Sequence, residues 1–124
     1  MIRIVRRGGA AAVGAMAAVA LAPSASPASA TSGPTFVDNW DARCLTQGNV
    51  CVHDSAYFDG RTAVYESVDT ECVTAPFGVL AAVNMTGKPV NFYATADCTG
   101  RSYAEPAENF HSWLSAGAQY SFRI

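Results

Sequence analysis

The stretch that most restricts how this chain folds is Cys51-Val52-His53-Asp54-Ser55-Ala56-Tyr57-Phe58-Asp59-Gly60-Arg61. It recurs forty residues later as Asn91-Phe92-Tyr93-Ala94-Thr95-Ala96-Asp97-Cys98-Thr99-Gly100-Arg101. In each copy a ring, His53 or Tyr93, opens a tight corner. Four residues follow, and then a side chain of the kind usually buried, Phe58 or Cys98, precedes x-Gly-Arg. Gly60 and Gly100 stand where the chain reverses, and a residue without a Cβ takes positive φ there at little cost. At this offset Gly60 falls on Gly100, Arg61 on Arg101 and Leu80 on Tyr120 with no gap. A fixed offset of this kind marks a repeated supersecondary unit. It predicts two halves of about forty residues, 44–83 and 84–124, each of four strands.

The residues between the corners agree. Residues 50–53, 62–67, 79–85, 90–95, 102–104 and 118–124 read as strands, rich in β-formers or alternating. Residues 79–85 are apolar on both faces, as an inner strand is, and Tyr120, Phe122 and Ile124 share one face of the last. Residues 69–76 and 105–117 read as irregular connections, the second plugging the core with Trp113 and Leu114. Residues 36–40 suggest a short strand or lid that buries Trp40. Nothing after residue 30 sustains a 3.6-residue apolar period, so the expected fold is an all-β sandwich of antiparallel strands.

The first thirty residues belong to a different regime. Arg3, Arg6 and Arg7 precede an Ala/Val/Gly-rich run over 8–21, and Ala28-Ser29-Ala30 is a small-x-small site. The run is about 14 residues, short of the ~20 that span a bilayer. This predicts a secretory signal peptide, 1–30, cleaved after Ala30, then a lead-in over 31–43 and the domain proper over 44–124. Beyond residue 30 five basic residues face all ten acidic ones, a net charge near −5. An acidic chain with no basic cluster argues against nucleic acid and anionic membrane as partners. A monomer is expected.

All four cysteines, Cys44, Cys51, Cys72 and Cys98, lie in the exported part. An even number in a small exported chain predicts two disulfides. Three pairings are open. The preferred one closes a local loop with Cys44–Cys51 and ties the first half to the second with Cys72–Cys98. Chain entropy makes the bonds worth about 2–3 and ~3.5 kcal/mol respectively. No Cys-x-x-Cys or His-x-x-x-His spacing points to zinc.

Catalytic machinery is hard to assemble from these residues. His53-Asp54-Ser55 has the residue types of a triad, but neighbours on a strand face opposite ways and cannot converge on one atom. Gly-x-Ser-x-Gly, His-Glu-x-x-His and phosphate-cradling glycine motifs are absent from the sequence. His53 reads as a packing residue of the corner, His111 as a surface loop residue, and Glu105 and Glu108 as solvated loop carboxylates. No enzymatic activity and no cofactor are expected. Asn84-Met85-Thr86 matches a glycosylation sequon.

The corner pattern, aromatic-x-x-x-x-aromatic-x-Gly, resembles that of βγ-crystallins, carried here by His53, Phe58, Gly60, Tyr93 and Gly100. The run 53–61, the Cys44/Cys51 pair before it and Ala82-Val83-Asn84-Met85-Thr86-Gly87 are similar to secreted actinobacterial proteins grouped with the Streptomyces-type metalloproteinase inhibitors. The resemblance covers 44–124. It implies a two-sheet Greek-key sandwich and a secreted peptidase inhibitor whose partner is a secreted protease. Two departures stand out: His53 replaces the usual Tyr or Trp of the first corner, and Cys98 replaces the second aromatic of the second corner. The contact segment expected under this reading is 71–76. In it Cys72 anchors, Val73 fills an apolar pocket of a thermolysin-like protease beside Thr74, and Pro76 stiffens. The alternative is a secreted structural, calcium-binding or toxin-like module. Calcium needs six to eight oxygens. The positions that carry ligands in calcium-binding members, around 80–82 and 118–121, supply few here, leaving Asp54, Asp59, Glu66 and Asp97 as scattered acids. No metal site is expected.

Overall fold

The computed structural model describes residues 33–124. The expected signal peptide and its cleavage point lie outside them. Nine strands are described: β1 Thr35–Val37, β2 Val50–His53, β3 Thr62–Tyr65, β4 Val73–Val79, β5 Ala81–Asn84, β6 Val90–Tyr93, β7 Ser102–Glu105, β8 Asn109–Ser112 and β9 Gln119–Arg123. A single 3-10 turn, Ala42–Leu45, precedes β2. The strands form two antiparallel sheets, β1-β3-β2-β5-β8 and β4-β9-β6-β7. Among the described residues no helix is long and apolar enough to cross a membrane.

The two halves of the sequence exchange strands. β4, from the first half, pairs with β9 of the second, and β8, from the second half, pairs with β5 of the first. With β1 set aside, one sheet reads β3-β2-β5-β8 and the other, from its far edge, β7-β6-β9-β4. Each sheet is therefore completed by a strand from the opposite half, so neither half makes its sheet alone.

Side-chain alternation then places the core. Across the four-stranded sheet, register puts Val73, Phe122, Phe92 and Tyr103 in one row. These meet Val50, Val52, Ala63, Tyr65 and Trp113 from the other side. The Phe122 ring lies 5.0 Å from Tyr65 and 5.3 Å from Phe92, and Phe92 lies 5.0 Å from Trp113. Because the period along a strand is two, Cys51 and His53 of β2 face away from this core. They lie on the outer side of the five-stranded sheet, where Cys51 and Val64 form a second, smaller cluster with Cys44.

Two disulfides, Cys44–Cys51 and Cys72–Cys98, hold the arrangement. The first clamps the 3-10 turn onto β2. The second joins the residue before β4 to the second corner.

Several expectations need correction. Residues 73–76 are not irregular but open β4, and Pro76 is accommodated because β4 is an edge strand. The apolar run 79–85 is two strands in two sheets, Val79 ending β4 and residues 81–84 forming β5. Leu80 makes the crossing, donating its N–H to the His53 carbonyl and accepting from the Trp113 N–H. Residues 109–112 are strand rather than connection. Their Asn-Phe-His-Ser sequence has no apolar alternation because β8 is an edge. Trp113 does plug the core, but Leu114 is exposed, and so is Trp40, at 90%. On β9 Phe122 is buried and Tyr120 is exposed. Ser121 is buried as well, because its hydroxyl accepts from the Cys98 N–H and donates to the Thr95 carbonyl.

Candidate functional site

Both corners carry two departures from ordinary backbone, two residues apart. Gly60 and Gly100 have φ of 72° and 78°, as the sequence suggested, but Phe58 and Cys98 also have positive φ, 60° and 56°. A non-glycine residue there is strained by about 1–3 kcal/mol and persists only where its surroundings over-determine it. The first corner is braced by Asp54, whose carboxylate accepts from the Arg61 backbone N–H and from Arg61 Nε, both at 2.7 Å. These hydrogen bonds hold the Asp54 carboxyl below the usual carboxylate range. A Cβ at Gly60 would run into that same carboxylate. The second corner uses Asp97 instead, accepting from the Thr99 and Thr95 hydroxyls. Two of the acids considered for calcium are therefore engaged in holding loops. Among the described residues no group of three or more His, Cys, Asp or Glu side chains is placed to hold a metal.

Two features can meet a partner. The first is the edge of β4, which among the described strands pairs with β9 alone. Cys72 is exposed but fixed by its bond to Cys98, Thr74 is exposed with its hydroxyl donating to the Ala96 carbonyl, and Pro76 is exposed. Val73 is half-buried against the main core in register with Phe122. Of the three residues expected at a protease contact, adjacent in the chain, Thr74 faces outward and Val73 inward.

The second feature lies on the outer face of the five-stranded sheet. Asp41 caps the 3-10 turn, accepting from the Arg43 N–H and from its guanidinium, which pulls the Asp41 carboxyl down to about 2. With the Cys44–Cys51 bond, this fixes the lead-in against the sheet. Between it and the first corner is a cavity of about 280 Å³, lined by Trp40, Leu45, His53, Tyr57, Phe58 and Phe110 among others. Trp40, Leu45, Tyr57 and Phe110 are 65–90% exposed and gather as an apolar patch around the cavity.

His53 is 2% exposed. Its Nδ1 lies 2.9 Å from Thr62 Oγ1, and that hydroxyl donates to Asn39 Oδ1 at 3.2 Å. The one hydroxyl hydrogen being used, Thr62 accepts from His53, so the imidazole carries its hydrogen on Nδ1. Burial lowers the His53 pKa and favours the neutral ring. Nε2 is then a bare acceptor, and it has no partner among the described residues. Phe58 stands edge-on to the imidazole at 5.6 Å, and Phe110 edge-on to Phe58 at 5.7 Å. The packing role expected for His53 is present. What sequence reasoning missed is the company it keeps. The available signal was Trp40, Tyr57 and Phe110, large rings standing outside the apolar alternation.

His111, Asn84 and Glu105 are placed differently from expectation. His111 is not in a loop but on β8, half-buried, its ring stacked 4.4 Å from Tyr103. Asn84 is fully buried, with the two Nδ2 hydrogens shared among the Lys88, Glu105 and Pro106 carbonyls and Oδ1 accepting from Thr86. The folded chain therefore offers no sequon amide for glycosylation. Glu105 is not solvated: paired with Val90 on the inner face, it is fully buried, and neither carboxyl oxygen has a partner among the described residues.

Burial pushes the Glu105 pKa up to about 7. Below the unfolded value near 4.5 the carboxyl is neutral in both states and adds no pH dependence. As pH rises from there to about 7 the unfolded chain ionises first, so stability falls, and above 7 the loss is constant. Allowing for local relaxation, the loss between pH 4.5 and 8 is about 2 kcal/mol. Glu105→Gln is expected to flatten that slope in urea titrations. An unchanged slope would assign the pH dependence to another group.

No family model, curated protein or solved structure matches this chain.

Proposed function

We propose that this chain is a secreted, non-enzymatic binding module of βγ-crystallin-like Greek-key type, acting as an inhibitor of a secreted metallopeptidase. Two disulfides fit an extracellular protein, and the strand exchange between halves supports a repeat of four-stranded units. The observation that carries the inhibitory reading is the disulfide-pinned edge at residues 72–76. Peptidase clefts bind substrate as an extended strand, and β4 presents a free strand edge of that form. Because Cys72 is bonded to Cys98 and Thr74 to Ala96, little conformational freedom is lost on docking, which lowers the cost of association. Since Val73 packs inward, the outward side chains at this edge, Thr74 first, carry the contact.

The test is inhibition of thermolysin by residues 31–124, wild type beside Thr74→Trp, whose bulk obstructs the cleft without entering the core. The variant is expected to inhibit at least about tenfold less, equivalent to ~1.4 kcal/mol. Equal inhibition by both proteins removes this edge from the contact. No inhibition by the wild type of thermolysin or of peptidases from the native secretion medium removes the inhibitor reading.

A further inference from the structure

The cavity over His53 lies on the other sheet from β4, and the inhibitory reading makes no use of it. Its walls are apolar: Leu45, Val83, Tyr57, Phe58, Phe110 and Trp40. Its polar lining is Asn39, whose Oδ1 accepts from Thr62, Asp41, which is paired with Arg43, and the edge of a buried imidazole. Nδ1 of His53 is committed to Thr62, which in turn is committed to Asn39, so the free ring nitrogen is an acceptor with nothing to accept from. A buried acceptor left unpaired is destabilising, and a ligand bringing a donor relieves it. About 280 Å³ is at the low end of ligand pockets and suits one ring system rather than a helix or a chain. Of the carboxylates nearby, Asp41 is paired with Arg43 and Asp54 with Arg61, and Asp59 acts on the imidazole through space, so an anion is not favoured here.

We propose that this cavity is a binding site for a small neutral aromatic molecule carrying one O–H or N–H, of the phenol or indole class. The ring packs among Trp40, Leu45, Tyr57 and Phe110, and the donor points to His53 Nε2. Because Nε2 is buried, the ligand meets it only after a lining side chain turns aside. Phe58, edge-on to the imidazole and held at positive φ, is the adjacent ring.

The experiment uses the exported chain, residues 31–124, titrated with p-cresol and 3-methylindole against toluene, which has the ring without the donor. Binding is read by calorimetry and by the ¹⁵N resonance of His53 Nε2. The donor-bearing probes are expected to bind about tenfold tighter than toluene and to shift Nε2 away from its pyridine-like position. Trp40→Ala, at an exposed rim position that leaves the fold intact, is expected to weaken them about tenfold. Toluene binding as tightly as p-cresol, an unmoved Nε2 resonance, or indifference to Trp40→Ala would each overturn the proposal. So would a protein partner whose binding depends on Trp40 while none of the probes binds, an outcome that makes the patch a docking face. Thermolysin inhibition is independent of all these readings, so the inhibitory proposal stands or falls separately.

Discussion

Phe122→Ala is expected to destabilise the protein by about 3–5 kcal/mol, the usual cost of truncating a fully buried phenylalanine. Phe122 is completely buried, and its ring touches Tyr65 of β3 on one side and Phe92 of β6 on the other. It is therefore a contact between the sheets as well as within one, and the space it leaves is walled by strands from both halves. Such walls collapse poorly, since each is held by a hydrogen-bonded ladder. Against a typical total of about 5–15 kcal/mol, the variant sits close to unfolding at room temperature. Leu114→Ala is the matched control. That side chain was expected in the core but is 68% exposed, and its removal should change stability by no more than about 0.5 kcal/mol. Urea unfolding of both variants checks the pair. A loss below 1 kcal/mol for Phe122→Ala, or a loss above 2 for Leu114→Ala, would mean that the core is not where these contacts place it.

What could be read from the sequence divides along physical lines. The corners were legible because glycine at positive φ leaves a local mark, and two marks at one offset are hard to produce otherwise. Strands β2, β3, β6 and β9 were legible because they bury one or both faces and so show apolar alternation or β-formers. The cysteine pairing was one preference among three and matches the observed bonds. Two of the four edge strands were not legible: β4 contains a proline and β8 is polar, because an edge needs neither a full ladder nor two covered faces. Nor could the crossing at Leu80 be seen, since an apolar run changing sheets looks like one buried strand. At the candidate sites, the identities of Cys72, Val73, Thr74 and His53 were available but their directions were not. Val73 faces inward and His53 outward from the main core because of register with Phe122 and Thr62, a long-range fact that no local pattern encodes. Glu105 was misplaced for the same reason. Its neighbour Pro106 suggested a loop, while its partner Val90 puts it inside.

Removing the Cys72–Cys98 bond by replacing both residues with alanine is expected to lower stability by about 3.5 kcal/mol, against about 2.5 for Cys44 and Cys51. The difference follows from sequence separations of 26 and 7 residues, because the longer loop withdraws more freedom from the unfolded chain. For a domain of this size the first change should lower Tm by about 15–25 °C. The two variants should also differ in where they loosen. Cys72 lies just before β4, the strand that the first half lends to the second half's sheet. Without the bond, the edge that carries the proposed peptidase contact keeps only its pairing to β9, and amide exchange should accelerate at 73–74 before it does in β2 or β5. Loss of Cys44–Cys51 should instead release the 3-10 turn and the rim of the His53 cavity, leaving β4 protected. Exchange measured on both variants separates these outcomes. If the two bonds proved interchangeable, with equal Tm losses and the same loosened amides, then the long-range staple would not be what fixes β4, and the proposed inhibition could not rest on a preorganised edge.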